Sequence, residues 1–355
     1  MPDWTRSMQQ TYKFCRVDPE SWADIGEVTT IRSGTIVRDE DHESLGYANF
    51  DITEEIDEMY IRTYLVTVQD RIKDEIPLGV HLCQTPGYSY DGHVYTRSVD
   101  AYTPLIELKE KLPPLGYTVP KWRNTLQAAT NITREHMRAP VVSASGSGRL
   151  PYDFVANVDD TWLSYTSDML KMIDHRFDFD EFGRVIFLPI PDIATVQPRW
   201  TFNDDNSSIL YPSVNVSLDM YNMPNVVEVV YSEGYSTLSV RVVNDLIDSP
   251  VSTVNRGREV VQRIVDPRLE GEITTDKLER YAQEQLSELS SLTYQVTYKH
   301  GYCPVRIGDC VRLNYESAGI QNVQAKVTRQ NIKCEPGCPV EETAVYVTNL
   351  WREVG

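Results

Sequence analysis

Between Asn244 and Tyr315 the pattern of apolar and polar positions changes period more than once. Leu278, Ala282, Leu286 and Leu289 fall three and four residues apart, with Lys277, Glu279, Arg280, Glu284 and Glu288 at outward positions. That spacing predicts one amphipathic helix over residues 276–290. Thr274 and Thr275 are both suitable caps, and Asp276 sits where the helix dipole favours negative charge. After Ser291 the period becomes two, with Leu292, Tyr294, Val296 and Tyr298 alternating with polar residues as in a half-buried strand. Gly308-Asp309 then predicts a turn, and Val311, Leu313 and Tyr315 restart the alternation. The pattern is that of a single helix laid across a β-rich region.

Residues 10–100 carry the same two-residue signal. Ile31–Val37, Tyr47–Ile52, Tyr60–Val68 and Val80–Cys83 predict strands separated by Gly, Asp and Pro turns. The charge run Arg38-Asp-Glu-Asp-His-Glu43 between two of them predicts a solvated hairpin tip. From Ala101 the character changes. Thr103 caps and Pro104 opens a short helix through Leu112. A second helix is predicted over Trp122–His136, and a third, opened by Asp159-Asp160, carries the stripe Trp162, Met169, Leu170 and Ile173. The Ser/Gly-rich stretch 143–148 links the last two. Arg176–Phe179 and Arg184–Leu188 predict a tight hairpin with Gly183 at a positive φ. Beyond Arg199 sheet returns, with Asn225–Tyr231 paired to Leu238–Val243, and later strands over Val323–Ile332 and Ala344–Trp351. The predicted class is therefore mainly β with an α/β insert. Its predicted domains are a β-barrel-like domain over 1–100, the insert over 101–200, and a second β-barrel-like domain over 201–355 interrupted by the helix.

Length and charge narrow the functional classes. With 355 residues the chain can bury more than one core. It has no run of eighteen or more apolar residues, so no helical membrane span is expected. Its polar start, Met1-Pro2-Asp3-Trp4, has no apolar leader core, and secretion through a cleaved leader is not expected. The 21 tyrosines and frequent β-branched residues favour sheet. A formal net charge of −18 excludes the basic footprint of a nucleic-acid binder. It suits either plain solubility or a wall past which DNA slides without sticking.

Six cysteines (Cys15, Cys83, Cys303, Cys310, Cys334 and Cys338) in a chain this long do not make a disulfide scaffold. Cys334 and Cys338 are close enough in sequence for a small disulfide loop, with free thiols in a hairpin turn as the alternative. Joined to Cys303 and Cys310 they offer four thiolates, but the seven-residue spacing of that second pair fits zinc poorly. Histidines 42, 81, 93, 136, 175 and 300 are scattered without zinc-protease spacing. The cysteines suggest no Cys–His pairing, and no nucleophile elbow is present. Asp91-Gly92-His93 predicts a hairpin turn. Among 52 acidic residues a glycosidase-type carboxylate pair leaves no sequence signature. No catalytic, metal or cofactor residue is predicted, and no cofactor. The rival functions are a cell-wall hydrolase and a carbohydrate-binding protein whose tyrosines stack on sugars.

Several landmarks occur together in order: Asp159-Asp-Thr-Trp-Leu163, Phe179-Asp-Glu-Phe-Gly-Arg184, Met223-Pro-Asn-Val-Val227, Asp248-Ser-Pro-Val-Ser252, Arg256-Gly-Arg258, the Tyr281–Leu289 helix and Gly308-Asp-Cys-Val311. In this combination the chain resembles minor tail proteins of long, non-contractile-tailed bacteriophages, which look like relatives of the baseplate hub of contractile tails. The likeness is carried by residues 155–315. Cys303 and Cys310 depart from it, standing where apolar or small residues are expected. The resemblance implies a trimeric ring of tube domains that joins the hexameric tail tube or distal tail protein to threefold tip components. It further implies a channel for tape-measure protein and for DNA, which passes without specific binding, and contacts with tail-fibre or receptor-binding proteins. The implied location is the virion tail tip, assembled in the bacterial cytoplasm. Hubs of this kind often carry a long C-terminal extension; here the sequence reaches Gly355 soon after its last predicted strand, so fibres or hydrolases are expected as separate proteins.

Overall fold

The computed structural model describes residues 2–93, 95–190, 196–205, 209–218, 223–233, 236–265, 267, 269, 273–290 and 292–348. Strand makes up 47% and helix 15%, so the chain is mainly β. It divides into two compact units, Met1–Val214 with Thr297–Ala344, and Asn215–Val296 with Val345–Gly355.

The strands of the N-terminal region are β1 (Gln9–Val17), β2 (Asp24–Glu27), β3 (Ile31–Asp39), β4 (Gly46–Ile52), β5 (Met59–Gln69), β6 (Ile72–Tyr90) and β7 (Tyr95–Tyr102). Then follow α1 (Ile106–Lys109), β8 (Thr118–Val119), α2 (Thr125–His136), β9 (Phe154–Val155), α3 (Trp162–Lys171), β10 (His175–Phe179), β11 (Val185–Pro189), β12 (Trp200–Asn203) and β13 (Leu210–Leu218). Next come β14 (Val226–Glu233), β15 (Ser236–Val243), α4 (Thr253–Arg256), β16 (Val261–Val265) and α5 (Thr275–Leu289). The last described strands are β17 (Leu292–Gly301), β18 (Cys310–Tyr315), β19 (Ile320–Lys333) and β20 (Pro339–Thr348).

One 13-stranded sheet runs β13-β17-β20-β19-β3-β4-β7-β6-β5-β1-β2, with β18 on β19 and β12 parallel to β18. Among the described residues no closed barrel forms, and β1–β7, β12, β13 and β17–β20, drawn from both ends of the chain, share this one sheet. The cause lies in β19. Its 14 residues pair first with β18, from Tyr315↔Ile320 to Cys310↔Lys326, and then with β3, from Arg329↔Asp39 to Lys333↔Thr35. A strand long enough to serve two neighbours in succession fuses what short strands would keep apart.

Two large apolar clusters lie in the first unit. Phe14, Ile36, Phe50, Ile61 and Leu65 pack with Ile332 and Val340. Trp162, Leu163, Met169, Leu170, Phe177 and Phe187 pack with Tyr60, Val80 and Leu82. Each such side chain contributes about 1.5–3 kcal/mol relative to exposure.

Local chemistry moves several predicted element boundaries. α2 starts at Thr125, where Asn124 accepts from the Gln127 amide at 2.9 Å; Trp122 lies outside it with φ +70°. α3 is capped by Thr161 rather than Asp159-Asp160, through reciprocal bonds with Ser164 of 3.1 and 2.9 Å. Thr103 caps nothing: its hydroxyl donates to the Ser44 carbonyl at 2.5 Å, and α1 is only 4 residues long. The charge run is only partly solvated. Asp41 and Glu43 are exposed at the tip, but Arg38 turns inward to Gln330 and Leu78, and Glu40 accepts from Lys326 at 2.7 Å.

β6 is much longer than its predicted core. Beyond Cys83 it has left β5 and pairs with β7 as far as Tyr90↔Tyr95, closed by Asp91-Gly92-His93 with Gly92 at φ +97°. This two-stranded ribbon exposes Tyr88 (75%), Tyr90 (55%) and Tyr95 (64%) on one face, with the Tyr90 and Tyr95 rings stacked at 4.5 Å.

The second unit is a three-stranded sheet, β15-β14-β16, in which β15 runs antiparallel and β16 parallel to β14. α5 lays Leu278, Ala282 and Leu286, all 0% exposed, against Val227 and Val229. Thr274 caps it, accepting from the Lys277 amide at 3.3 Å. Leu289, placed on the same stripe by spacing, is exposed at the helix end. Ser291, Trp351, the turn positions 234–235 and the side chains of Glu288 and Leu292 lie outside the described residues.

Candidate functional site

Cys334 and Cys338, the one residue pair singled out from the sequence, occupy the turn between β19 and β20. Both thiols are buried and unbonded to one another here. The Cys334 amide donates to the Gly34 carbonyl at 2.8 Å, and the Cys338 amide to that of Glu335 at 2.9 Å. Tyr12 clasps the turn, its hydroxyl donating to the Glu335 carbonyl at 2.7 Å. Burial pushes the Cys338 thiol up to about 11 and Cys334 higher still. Both are therefore poor thiolates at neutral pH. We propose that they pair under oxidising conditions. A thiol reagent applied after denaturation should then count four thiols in the oxidised protein and six in the reduced; six in both would refute the pairing.

The sequence suggested no Cys–His pairing, but the structure supplies one. Cys303 Sγ lies 3.9 Å from His300 Nδ1, and His300 Nε2 lies 3.3 Å from Glu342 Oε2. The order thiol–imidazole–carboxylate is that of a nucleophile, its base and the group that orients the base. Two observations turn it into packing. His300 Nδ1 is 2.7 Å from the Gly301 carbonyl, so that nitrogen carries a proton and donates it; it cannot also accept one from the thiol. Cys303, His300 and Glu342 are also 2%, 0% and 0% exposed, and burial drives the Cys303 thiol well above its ordinary value. Glu342 is instead the acceptor of a core network, bonded by the Tyr298 hydroxyl and by Gln330 Nε2 at 2.7 Å. A signal for it exists in the sequence, since His300 continues the inward alternation of Val296 and Tyr298.

The landmarks of the resemblance come together as structural junctions. In the first unit the β10–β11 turn, Phe179–Arg184, is held from several sides. Trp22 Nε1 and Arg62 Nη2 donate to the Phe182 carbonyl at 2.9 and 3.2 Å, Arg306 donates to that of Phe179, and Gly183 (φ +74°) lies against Val80. Gly308 (φ +83°) explains the Gly-Asp landmark: a Cβ there would meet Arg176 Nη2 at 2.0 Å, while Arg176 bonds Asp178 at 3.2 Å. Asp309 accepts from the Arg306 amide at 2.9 Å. Gly308→Ala is expected to destabilise the protein by about 2–3 kcal/mol in urea unfolding, from the left-handed backbone and the displaced guanidinium together.

His81 lies under this junction, 4% exposed, and burial with the neighbouring Arg38 lowers its pKa to about 3. The unfolded chain takes up a proton near 6.5 that the folded one refuses, so unfolding binds protons and stability rises with pH. That contribution is complete above about 6.5 and is lost as pH falls towards about 3, with a slope of up to about 1.4 kcal/mol per pH unit. His81→Leu should flatten the stability profile across that window, as followed by thermal unfolding.

In the second unit the Met223–Val227, Asp248–Ser252 and Arg256–Arg258 landmarks meet at Asn225, which is 0% exposed. Its Nδ2 donates to the carbonyls of Val251 and Arg258, each at 3.0 Å, and its Oδ1 accepts from the Val260 amide at 2.7 Å. Ser252 caps α4, Gly257 ends it at φ +60°, and Arg256 Nη1 donates to the Met223 carbonyl at 2.7 Å. Among the described residues no group of three or more His, Cys, Asp or Glu is placed to hold a metal ion.

The arrangement of these elements is the fold of phage and prophage tail proteins. A tail protein from Neisseria meningitidis matches with a TM-score of 0.67 at 13% identity, over 95% of this chain and 97% of its own. The 43 kDa tail protein of prophage MuSo2 from Shewanella oneidensis matches at 0.63 and 12%, over 94% and 98%. A chain of the Francisella PdpA–VgrG complex matches at 0.58 and 9%, over all of this chain and 55% of its own. No protein-family model and no curated protein sequence matches.

Proposed function

We propose that the chain is a structural subunit of a bacteriophage tail tip, its hub, without catalytic residues. The observation that carries the reading is the end-to-end match to tail proteins, 95% of this chain on 97% of another. The junctions support it: the landmark residues fasten turns to sheets, and the Cys303–His300–Glu342 series is sealed in a core. In this reading three copies form a ring around the channel for tape-measure protein and DNA. Residues 1–100 and 201–355 supply its tube modules, and 101–200 its peripheral insert. The ring joins the tail tube or distal tail protein to fibres or receptor-binding proteins, within a tail assembled in the host cytoplasm. A net charge of −18 suits a wall that DNA passes without adhering.

The exposed tyrosines of the β6–β7 ribbon favour carbohydrate binding as a second reading, because aromatic faces stack on sugars. One experiment separates the two. An antibody against the chain should label the tip of purified tails in electron micrographs, and the protein should not be retained on host cell-wall glycan. Virions without label, together with glycan retention that Tyr88→Ser and Tyr95→Ser abolish, would replace the hub by the receptor reading.

A further inference from the structure

Beside the β10–β11 junction lies a dense ionic cluster in which one cation has no carboxylate partner among the described residues. Arg176 meets Glu40 and Asp178 at 3.8 and 3.2 Å, and Arg306 meets Asp178 and Glu181 at 3.8 and 3.5 Å. Arg184 meets Asp180 at 2.5 Å, and Lys326 meets Glu40 at 2.7 Å. Five cations, counting Arg38, thus share four carboxylates. Arg38 is the one without a close ion pair among the described residues: its hydrogen bonds to Gln330 Oε1 at 3.0 Å and the Leu78 carbonyl at 2.7 Å run to neutral acceptors. Arg38 is half-buried; a guanidinium stays charged at any ordinary pH, and a charge drawn partly out of water without a close ion pair is costly. Desolvation and then the nearby Arg306 push Arg38 below its ordinary value, against smaller opposing contributions from Tyr302 and the Asp178 carboxylate, so Arg306 adds repulsion that these do not cancel.

Arg38 and Arg306 border a cavity of about 40 Å³, lined also by His81, Thr103, Asp178 and Asp180. That is room for one particle of water or halide size. His81 is 4% exposed, and its Nδ1 has no hydrogen-bond partner. Both aspartates are already engaged, Asp178 by Arg176, Arg306 and the Phe179 amide, and Asp180 by Arg184 and the amides of Phe182 and Arg184. The cavity therefore combines an unmatched guanidinium, a free ring nitrogen able to donate, and carboxylates neutralised from outside.

We propose that this cavity binds a single small monovalent anion, chloride in ordinary solution, held between Arg38 and the Nδ1–H of His81. The site offsets the unmatched charge of Arg38 and excludes polyatomic anions such as sulfate by size. It is independent of the tail-hub reading.

Two measurements on the wild-type chain test it together. Crystals soaked in sodium bromide should show an anomalous peak in the cavity beside Arg38 and His81. At constant ionic strength, replacing gluconate by chloride should raise Tm by about 3 °C, as a ligand bound only to the folded state does. In Arg38→Met that rise should vanish, and if the variant does not fold the wild-type results decide alone. A cavity without bromide overturns the proposal in favour of a water. A bromide peak with no difference in Tm overturns it as binding at crystal concentration only.

Discussion

Glu342→Ala is expected to cost the first unit about 3–5 kcal/mol, the scale of breaking a buried charged network from one side. The substitution removes the shared acceptor of Tyr298 and Gln330 and leaves His300 Nε2 facing an apolar methyl, at a position 0% exposed. Gln330 retains the Val305 carbonyl at 2.9 Å, so the Tyr298 hydroxyl and the imidazole bear most of the loss. Glu342→Gln keeps an acceptor of the same shape and should lose roughly half as much. Urea unfolding followed by tryptophan fluorescence measures both. A loss below about 1 kcal/mol for the alanine variant would show that the network does not hold this core. Cys303→Ala in the same assay should cost far less, because its sulfur makes weak polar contacts, 3.9 Å to the ring and one to the Val305 backbone.

Asn225→Ala is the corresponding experiment in the second unit. Three hydrogen bonds converge on this side chain from two other segments, at Val251 and at Arg258 and Val260, and their partners are backbone groups that cannot reorient. At about 1 kcal/mol for each, the expected loss is about 3 kcal/mol. Asn225→Asp sharpens the test at almost constant volume. It keeps the acceptor for the Val260 amide but turns a carboxylate oxygen towards two carbonyls, so it should be at least as damaging as alanine. Hydrogen exchange across residues 244–262 reads the effect directly, since these turns are tied down by Asn225. Unchanged protection in both variants would contradict the assignment.

Much of the fold was legible because its elements follow one period at a time. β3, β4, β5, the β10–β11 and β14–β15 hairpins and α5 all stand where alternation or a helical stripe predicts them. What sequence could not show arose where local chemistry and distant partners disagreed. β6 runs through Pro77, Gly79, Pro86 and Gly87, residues that punctuate most strands: a register shift opposite Thr63/Tyr64 falls between Pro77 and Gly79, and Pro86 and Gly87 pair with Val99 and Ser98 just beyond a second shift at Cys83/Thr85. Trp122 fits a helical pattern, but Asn124 is the better cap and ends the competition. The joining of strands into one sheet depends on β19 reaching both β18 and β3, more than 280 residues apart in the case of Thr35 and Lys333, and nothing local encodes that.

The candidate site shows the same division. Its landmarks could be recognised as an ordered set, yet their reasons are three-dimensional. Gly308 is glycine because Arg176 from another hairpin lies on it, and Asn225 is asparagine because two other chain segments are bonded to it. The unmatched Arg38 and the Cys303–His300–Glu342 series involve residues far apart in sequence, and spacing alone cannot bring them together.

The most direct test of the hub account is the solution mass of the purified chain, measured by light scattering. Three times the 40.6 kDa of one chain, in particles with a central hole under negative stain, is the predicted result. A mass that stays at 40.6 kDa at every concentration, with compact particles lacking a hole, would contradict it.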